Sequence, residues 1–276
     1  MTRVSKTSAL QNITGTIALA GAGKMGGAML TGWLAGGLDP KQVVVIEPMP
    51  SAEIAALVAR GIRLNPKDAA TVETLVVAVK PQSFREAGAL LRPLVSPTTL
   101  VVSIMAGTTI ASLSEVCGGA IVRAMPNTPA AIGRGITVAV PAKNVSAAQR
   151  ATADALLRAT GLVEWVEDES LMDAVTAVSG SGPAYIFLLA EELARAGVAA
   201  GLPEELATKL ARETVAGSGE LLHHSDLSSA TLRQNVTSPG GTTAAALSVL
   251  MADDGLQQLM IRAIAAATAR SKELAK

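Results

Sequence analysis

One cysteine, two histidines, no surplus of either charge and no apolar run of about eighteen residues mark this chain of 276 residues, and each scarcity excludes something. Lone Cys117 cannot close an intramolecular disulfide and leaves no sulfur-based metal cluster; it reads as a small core filler in a reducing compartment. The 23 basic and 23 acidic side chains cancel, so there is no broad electrostatic footprint for nucleic acid and no nucleic-acid partner is expected. His223 and His224 stand together without the spaced His, Cys or carboxylate partners of a metal site; they read as favourable charges at a helix C-terminus, and no metal is expected. The segment MTRVSKTSALQNIT is basic but has no apolar run of secretory length, so neither export signal nor membrane span is expected, and the cytoplasm is the expected location. Mean hydropathy is nevertheless +0.40, much of it from alanine, an apolar excess that a partner subunit can cover.

What is present follows a rhythm. From Thr16 to Lys80, short β-rich runs alternate with helical stretches: TIALAG, a helix over about Lys24 to Ala35, VVVIE, a helix over Ser51 to Arg60, and TLVVAV. The strand runs are apolar at successive positions, as in a parallel sheet covered on both faces. TLVVSIMA, AIVRAM and GITVAV extend it, and residues 146 to 160 read as a helix opened by Ser146. Beyond about Leu171 apolar residues recur at helical spacing through Tyr185 to Gly197, Pro203 to Leu222 and Thr242 to Lys276. Pro203 suits a first turn, and Glu204 and Glu205 suit the positive end of the helix dipole. The expected fold is therefore α/β: a flexible extension over 1–15, a Rossmann-like parallel-sheet domain over 16–170, and an all-helical domain over 171–276.

Gly21-Ala22-Gly23-Lys24-Met25-Gly26 follows the first strand directly and opens a helix. The first glycine permits a tight turn, the second lets backbone approach a pyrophosphate, and the third allows helix to pack on strand. Amides at that helix start attract phosphate. Glu47 ends the next strand, where an acid commonly holds the ribose 2′-hydroxyl of NAD; a carboxylate there repels the 2′-phosphate of NADP, so local chemistry leans to NADH. The alternative is a solvated strand-end acid. Lys80, before Pro81, is held out of helical geometry at the carboxyl edge of the sheet, facing either ligand or solvent.

Three further segments are more particular: Arg123-Ala124-Met125-Pro126-Asn127-Thr128-Pro129, Ser179-Gly180-Ser181-Gly182-Pro183-Ala184-Tyr185, and Asn235-Val236-Thr237-Ser238-Pro239-Gly240-Gly241-Thr242-Thr243. With GAGKMG and VKPQ, in this order, they closely resemble pyrroline-5-carboxylate reductase over about Thr16 to Leu274. The resemblance implies an NAD(P)H-dependent oxidoreductase that transfers hydride to the C=N bond of the imino acid 1-pyrroline-5-carboxylate, giving L-proline in the last step of proline biosynthesis. It also implies a homodimer interlocked through the helical domain, with dimers assembling further. By matching positions, Gly21, Ala22, Gly23, Lys24, Met25, Gly26, Asn65, Ala78, Val79, Lys80, Pro81, Met105, Ala106 and Gly107 would line NADPH or NADH. Asn235 would touch the coenzyme across the dimer, and Ser238, Gly241, Thr242 and Thr243 would hold substrate. Glu169 resembles a substrate-side acid of the family, although within Glu167-Asp168-Glu169 it also reads as a surface acid. One departure is Glu47-Pro48, where relatives preferring NADPH tend to offer hydroxyl or basic groups; this bears on coenzyme choice, not on reaction type.

The residues also bear on the chemistry. A carboxylate-bearing cyclic imine needs an anion site, an exposed C=N carbon and a proton for nitrogen. Ser238 to Thr243 leaves backbone amides unshielded at a helix start, a carboxylate cradle or simply a loop and N-cap. Thr243 is the candidate catalytic group, its hydroxyl donating or relaying the proton; the alternative is a first-turn threonine bonded to backbone. Asp226 either fixes a neighbouring loop or is solvated. Ser179 to Pro183 lacks a paired histidine base and reads as a tight bend, and Tyr185 reads as core. Two rivals remain: a hydroxyacid-type dehydrogenase, which needs a lysine base that only Lys209 could supply between Asn144 and Lys272, and a dinucleotide-binding redox sensor, which needs no SPGGTT loop.

Overall fold

A computed structural model describes residues 6–68 and 70–274. Eight strands form one sheet in the order β3-β2-β1-β4-β5-β6-β7-β8. β1 (Ile17–Ala20), β2 (Val43–Ile46), β3 (Arg63–Leu64), β4 (Thr74–Val77), β5 (Leu100–Ser103) and β6 (Ala120–Met125) are parallel. β7 (Gly135–Pro141) runs antiparallel to β6, and β8 (Gly161–Trp165) parallel to β7. Connecting helices are α1 (Lys6–Gln11), α2 (Lys24–Ala35), α3 (Ala52–Ala56), α4 (Phe84–Leu91), α5 (Ile110–Val116) and α6 (Ala147–Arg158). The chain builds outward from β1 through β2 to β3, then crosses to β4 on the other side of β1. That reversal opens a crevice beyond the carboxyl ends of β1 and β4, where ligands settle in such sheets.

Alternation along each strand feeds two cores. Ile17, Leu19, Val43, Val45, Val76, Leu100 and Val102 join Met29, Leu30 and Trp33 of α2 and Leu156 and Leu157 of α6. Their neighbours Ala18, Ala20, Val44, Leu75, Val77 and Val101 join Phe84 and Leu91 of α4 with Leu113 and Cys117. Both faces are dry, which explains the uninterrupted apolar runs. Trp33, fully buried, donates its indole N–H to Leu156 O at 2.9 Å and ties α2 to α6. Ser146 caps α6 in a reciprocal box with Gln149.

Several expectations are corrected. Of the extension over 1–15, residues 1–5 lie outside the described residues; Lys6–Gln11 is helical, and Leu10 and Ile13 are buried in the core rather than detached. β3 and β8 were not expected. β3 is two residues long, and β8 carries exposed Leu162 and Glu164 between buried positions, a pattern too polar to register as a covered strand. The helix over Ser51 to Arg60 is α3, capped by Ser51, with its last turn tightened to a 3₁₀ form.

After β8 come α7 (Met172–Val175), a π-turn over Thr176–Gly180, α8 (Gly182–Ala199), α9 (Glu204–His224), α10 (Ser229–Asn235), α11 (Thr242–Leu250) and α12 (Leu256–Leu274). The run Thr242 to Lys276 is thus two helices, broken where Gly255 sits against Leu250 O and Ala252 O. Compact units divide after Gly180 rather than at 170/171: Ser181–Ala267 forms one, and the chain from Thr268 belongs with the first, where Ser271 Oγ donates to Asp173 Oδ1 at 2.7 Å.

Within Ser181–Ala267, α8 and α9 pack through small side chains, Ala207 and Ala211 being buried and Gly197 facing Ala207. The large apolar side chains point elsewhere. Phe187 is 68% exposed, and Leu188, Leu210, Leu259 and Ile261 are also exposed. Among the described residues these helices leave their apolar stripes unburied within one chain, so the stripes are a surface to be covered.

Candidate active site

The crevice begins where β1 ends. Gly21 N–H donates to Ile46 O at 2.9 Å, adding one rung to the ladder, and the chain then turns with Gly21 at φ +90°. A Cβ there would lie 2.6 Å from Ala78 O, so the turn needs both the left-handed backbone and the missing side chain. Gly26 is packed against the Gly21 carbonyl, seating α2 on the strand. Gly23 differs from both: it is the extended N-cap of α2, has no side-chain cap, and a Cβ on it would meet nothing within 4 Å. Open space therefore lies directly over the amides that begin α2.

A cavity of about 700 Å³ fills that space. Ala22, Gly23 and Lys24 line it on one side, Glu47 and Lys80 on others. Glu47 is anchored at both carboxylate oxygens: Oε2 accepts from Ala22 N at 2.8 Å and Oε1 from Met49 N at 3.0 Å. Asn65, with φ +47°, clamps the same strand end, accepting from Glu47 N at 2.9 Å and donating to Glu47 O at 2.8 Å. Glu47 is thus a fixed carboxylate beside the glycine turn rather than a freely solvated strand-end acid. Lys80 is exposed on the cavity wall, ahead of a 3₁₀ turn over Pro81–Ser83, and half-buried Ala78 and Val79 connect it to β4. Thr31, Ser51 and Ala131 also line the cavity and went unnoticed in the sequence; Ser51 carried one usable signal, an N-cap position just past β2.

The β5 tip continues this edge. Ile104 N–H donates to Val77 O, Met105 is buried, Ala106 is exposed, and Gly107 turns with φ +69° against the backbone of Leu274. Glu169, in contrast, is neither free nor isolated: its Oε1 accepts from Arg123 Nη1 and from Ile110 N, both at 2.8 Å. Arg123 itself is 4% exposed. Met125, two residues on in the same motif, packs on Gly180 of the π-turn, so two motifs distant in sequence meet.

Within Ser181–Ala267, α10 ends at Asn235 and the chain loops through Ser238 to α11. Gly240 has φ +67°, and Gly241 is an N-cap without a side-chain cap whose own N–H donates to Ser238 O at 3.1 Å. Thr242 and Thr243 form the first turn. Thr237 donates its hydroxyl to Arg233 O, whereas Thr243 Oγ1, among the described residues, takes no such backbone partner. The arrangement offers free amides and the hydroxyls of Thr242 and Thr243 at the positive end of a nine-residue helix. Asp226 lies between α9 and α10, and His224 meets Glu220 at 2.8 Å at the end of α9.

The uncapped amides over an open glycine, with an anchored carboxylate at the strand end, fit a pyrophosphate and ribose, and hence a nicotinamide dinucleotide. Cys117 takes no part. It is fully buried, and burial pushes its thiol up to about 11, offset in part by Arg92.

Residues 169–274 match a family described as pyrroline-5-carboxylate reductase dimerisation, and residues 16–107 one described as NADP oxidoreductase, coenzyme F420-dependent. A pyrroline-5-carboxylate reductase of Pseudomonas aeruginosa is 40% identical over 270 residues, 95% of this chain and 98% of that one. A pyrroline-5-carboxylate reductase structure from Coxiella burnetii superposes with a TM-score of 0.84 at 36% identity, covering 96% of this chain and all of that one. A Plasmodium falciparum pyrroline carboxylate reductase with NADP bound gives a TM-score of 0.78 at 30% identity, covering 97% and 100%.

Proposed function

The chain belongs to the pyrroline-5-carboxylate reductase family, and from that premise we propose that it reduces the C=N bond of 1-pyrroline-5-carboxylate to give L-proline. The observation that carries the substrate assignment is the start of α11: uncapped amides after Gly240 and Gly241, with the Thr243 hydroxyl beside them. A dihydronicotinamide, when bound, supplies the hydride. The chain supplies the rest. Gly21 to Gly26 and the α2 amides receive the pyrophosphate, and Ala78 to Pro81 with Met105 to Gly107 wall the nicotinamide end. Ser238 and Gly241 to Thr243 take the substrate carboxylate. Protonation at nitrogen makes the imine carbon electrophilic, and Thr243 Oγ1 donates or relays that proton. The product keeps the carboxylate on the same amides, with one hydrogen gained at carbon and one at nitrogen.

The open apolar helices support a homodimer built through Ser181–Ala267, with Asn235 reaching the partner's coenzyme and dimers assembling further. Glu47 supports a preference for NADH, because a carboxylate fixed beside Ala22 N faces the position of a 2′-phosphate. Among the described residues no helix is long and apolar enough to cross a membrane, and we place the enzyme's work in the cytoplasm. Steady-state reduction of 1-pyrroline-5-carboxylate with NADH and NADPH in parallel tests the proposal. Turnover with NADH at the higher kcat/KM is expected; oxidation of neither coenzyme, or turnover only on 3-hydroxy acids, would overturn it.

A further inference from the structure

We infer that Glu169 and Arg123 are positioning residues for the coenzyme, holding the Met105 to Gly107 loop in place through the backbone of Ile110. The inference rests on the dinucleotide reading of the crevice. Arg123 projects from β6 and is 4% exposed, and a guanidinium so placed requires a counter-charge. Glu169 provides it at 2.8 Å. A pair serving only to neutralise charge needs nothing more, yet the same Oε1 also accepts the Ile110 N–H at 2.8 Å. Ile110 is the first residue of α5, three positions past Gly107.

Both ends of the loop are thereby tied. Upstream, Ile104 N–H continues the ladder to Val77 O at 3.0 Å, and Met105 N–H donates to Ser103 Oγ at 3.3 Å. Downstream, Thr109 Oγ1 accepts from Ser112 N at 3.1 Å and Glu169 takes a second first-turn amide, that of Ile110. Between the ties lie exposed Ala106 and left-handed Gly107, the backbone that walls the nicotinamide end. Freed at Ile110, this loop loses a charge-assisted hydrogen bond and samples positions that no longer fit the ring.

Two double variants separate the amide bond from the charge. R123M/E169L removes the ion pair without stranding a buried charge, and removes the acceptor; R123M/E169Q also removes the pair but keeps an oxygen for Ile110 N. Buried pairs replaced in this way commonly leave a protein folded. Fluorescence titration of each free enzyme with NADH reads coenzyme affinity without turnover, alongside Tm and both KM values. R123M/E169L is expected to raise the NADH Kd about tenfold, the scale of one charge-assisted hydrogen bond, with the KM for 1-pyrroline-5-carboxylate near wild type. R123M/E169Q brings the Kd back towards wild type. Equal Kd values for the leucine and glutamine double variants, or an effect confined to the imino-acid KM, would overturn the inference. A wild-type enzyme inactive on 1-pyrroline-5-carboxylate but showing the stated split in NADH affinity would sink the substrate assignment and leave the positioning role standing.

Discussion

Two glycines of one loop, separated by a single alanine, should respond to the same substitution in opposite ways. At Gly21, φ +90° charges any L-residue the left-handed cost of roughly 1–2 kcal/mol. The new Cβ would also lie 2.6 Å from Ala78 O and 2.9 Å from Val79 N, backbone that cannot swing aside as a side-chain end could. Relief requires β1 and β4 to part at their tips, weakening the 2.7 Å bond from Ala78 N to Ala20 O, worth about 1 kcal/mol. The total, roughly 2–3 kcal/mol, corresponds to a Tm drop of about 4–12 °C for a domain of this size. At Gly23, φ −68° and ψ −161° suit alanine, and a Cβ meets nothing within 4 Å. Losing an N-cap glycine costs a few tenths of a kcal/mol to about 1, and restricting the unfolded chain returns about 0.4–1, so Tm should stay within about 2 °C. Yet that Cβ occupies the space above the α2 amides where phosphate must approach. Gly23→Ala should therefore weaken NADH binding by at least about tenfold, or about 1.4 kcal/mol, with stability intact. Gly21→Ala should lose both. Thermal melts and NADH fluorescence titrations of the two variants decide the matter. A Gly23→Ala protein that binds NADH like wild type, or a Gly21→Ala protein that melts like wild type, refutes the reading of this turn.

Three shorter predictions accompany it. Thr243→Ala should reduce kcat by roughly tenfold or more, within the usual span of general acid contributions, while NADH affinity holds; unchanged kinetics would remove Thr243 from proton transfer. Glu47→Gln keeps an acceptor for Ala22 N and removes the charge, so the kcat/KM ratio of NADPH to NADH should rise about tenfold or more, and a constant ratio would show that Glu47 does not discriminate. Cys117 has a thiol raised from 9.0 to about 11 by burial, so between those values the unfolded chain loses a proton that the native chain keeps. Stability from this group is therefore present below pH 9 and lost as pH rises towards 11; melts of Cys117→Ala should show a shallower decline over that window than wild type.

The dinucleotide unit was readable because its information is local. α2 spans Lys24–Ala35 as the pattern predicts, and Ser146 caps α6, since a capping hydroxyl and its amide lie three residues apart. Gly21, Gly23 and Gly26 act within six residues, and Glu47 stands at a strand end that the sheet period sets. β3 and β8 were not readable. A two-residue strand has no period, and β8 forms only because β7 reverses and offers it a parallel edge. Glu169 looked like one acid among three, and its partners Arg123 and Ile110 lie 46 and 59 residues away.

By itself, then, the chain's order of residues determined most of the strands and helices, the glycine turn that opens α2, and the family resemblance. Those follow from steric and hydrogen-bonding rules that act over a few residues. Only the tertiary structure decided that Asn65 braces Glu47, that Glu169 serves a buried arginine and a loop amide, and that the chain from Thr268 belongs with the sheet unit. Such pairings join distant positions, and which partners meet depends on how packed layers bring them together, a matter no local periodicity encodes.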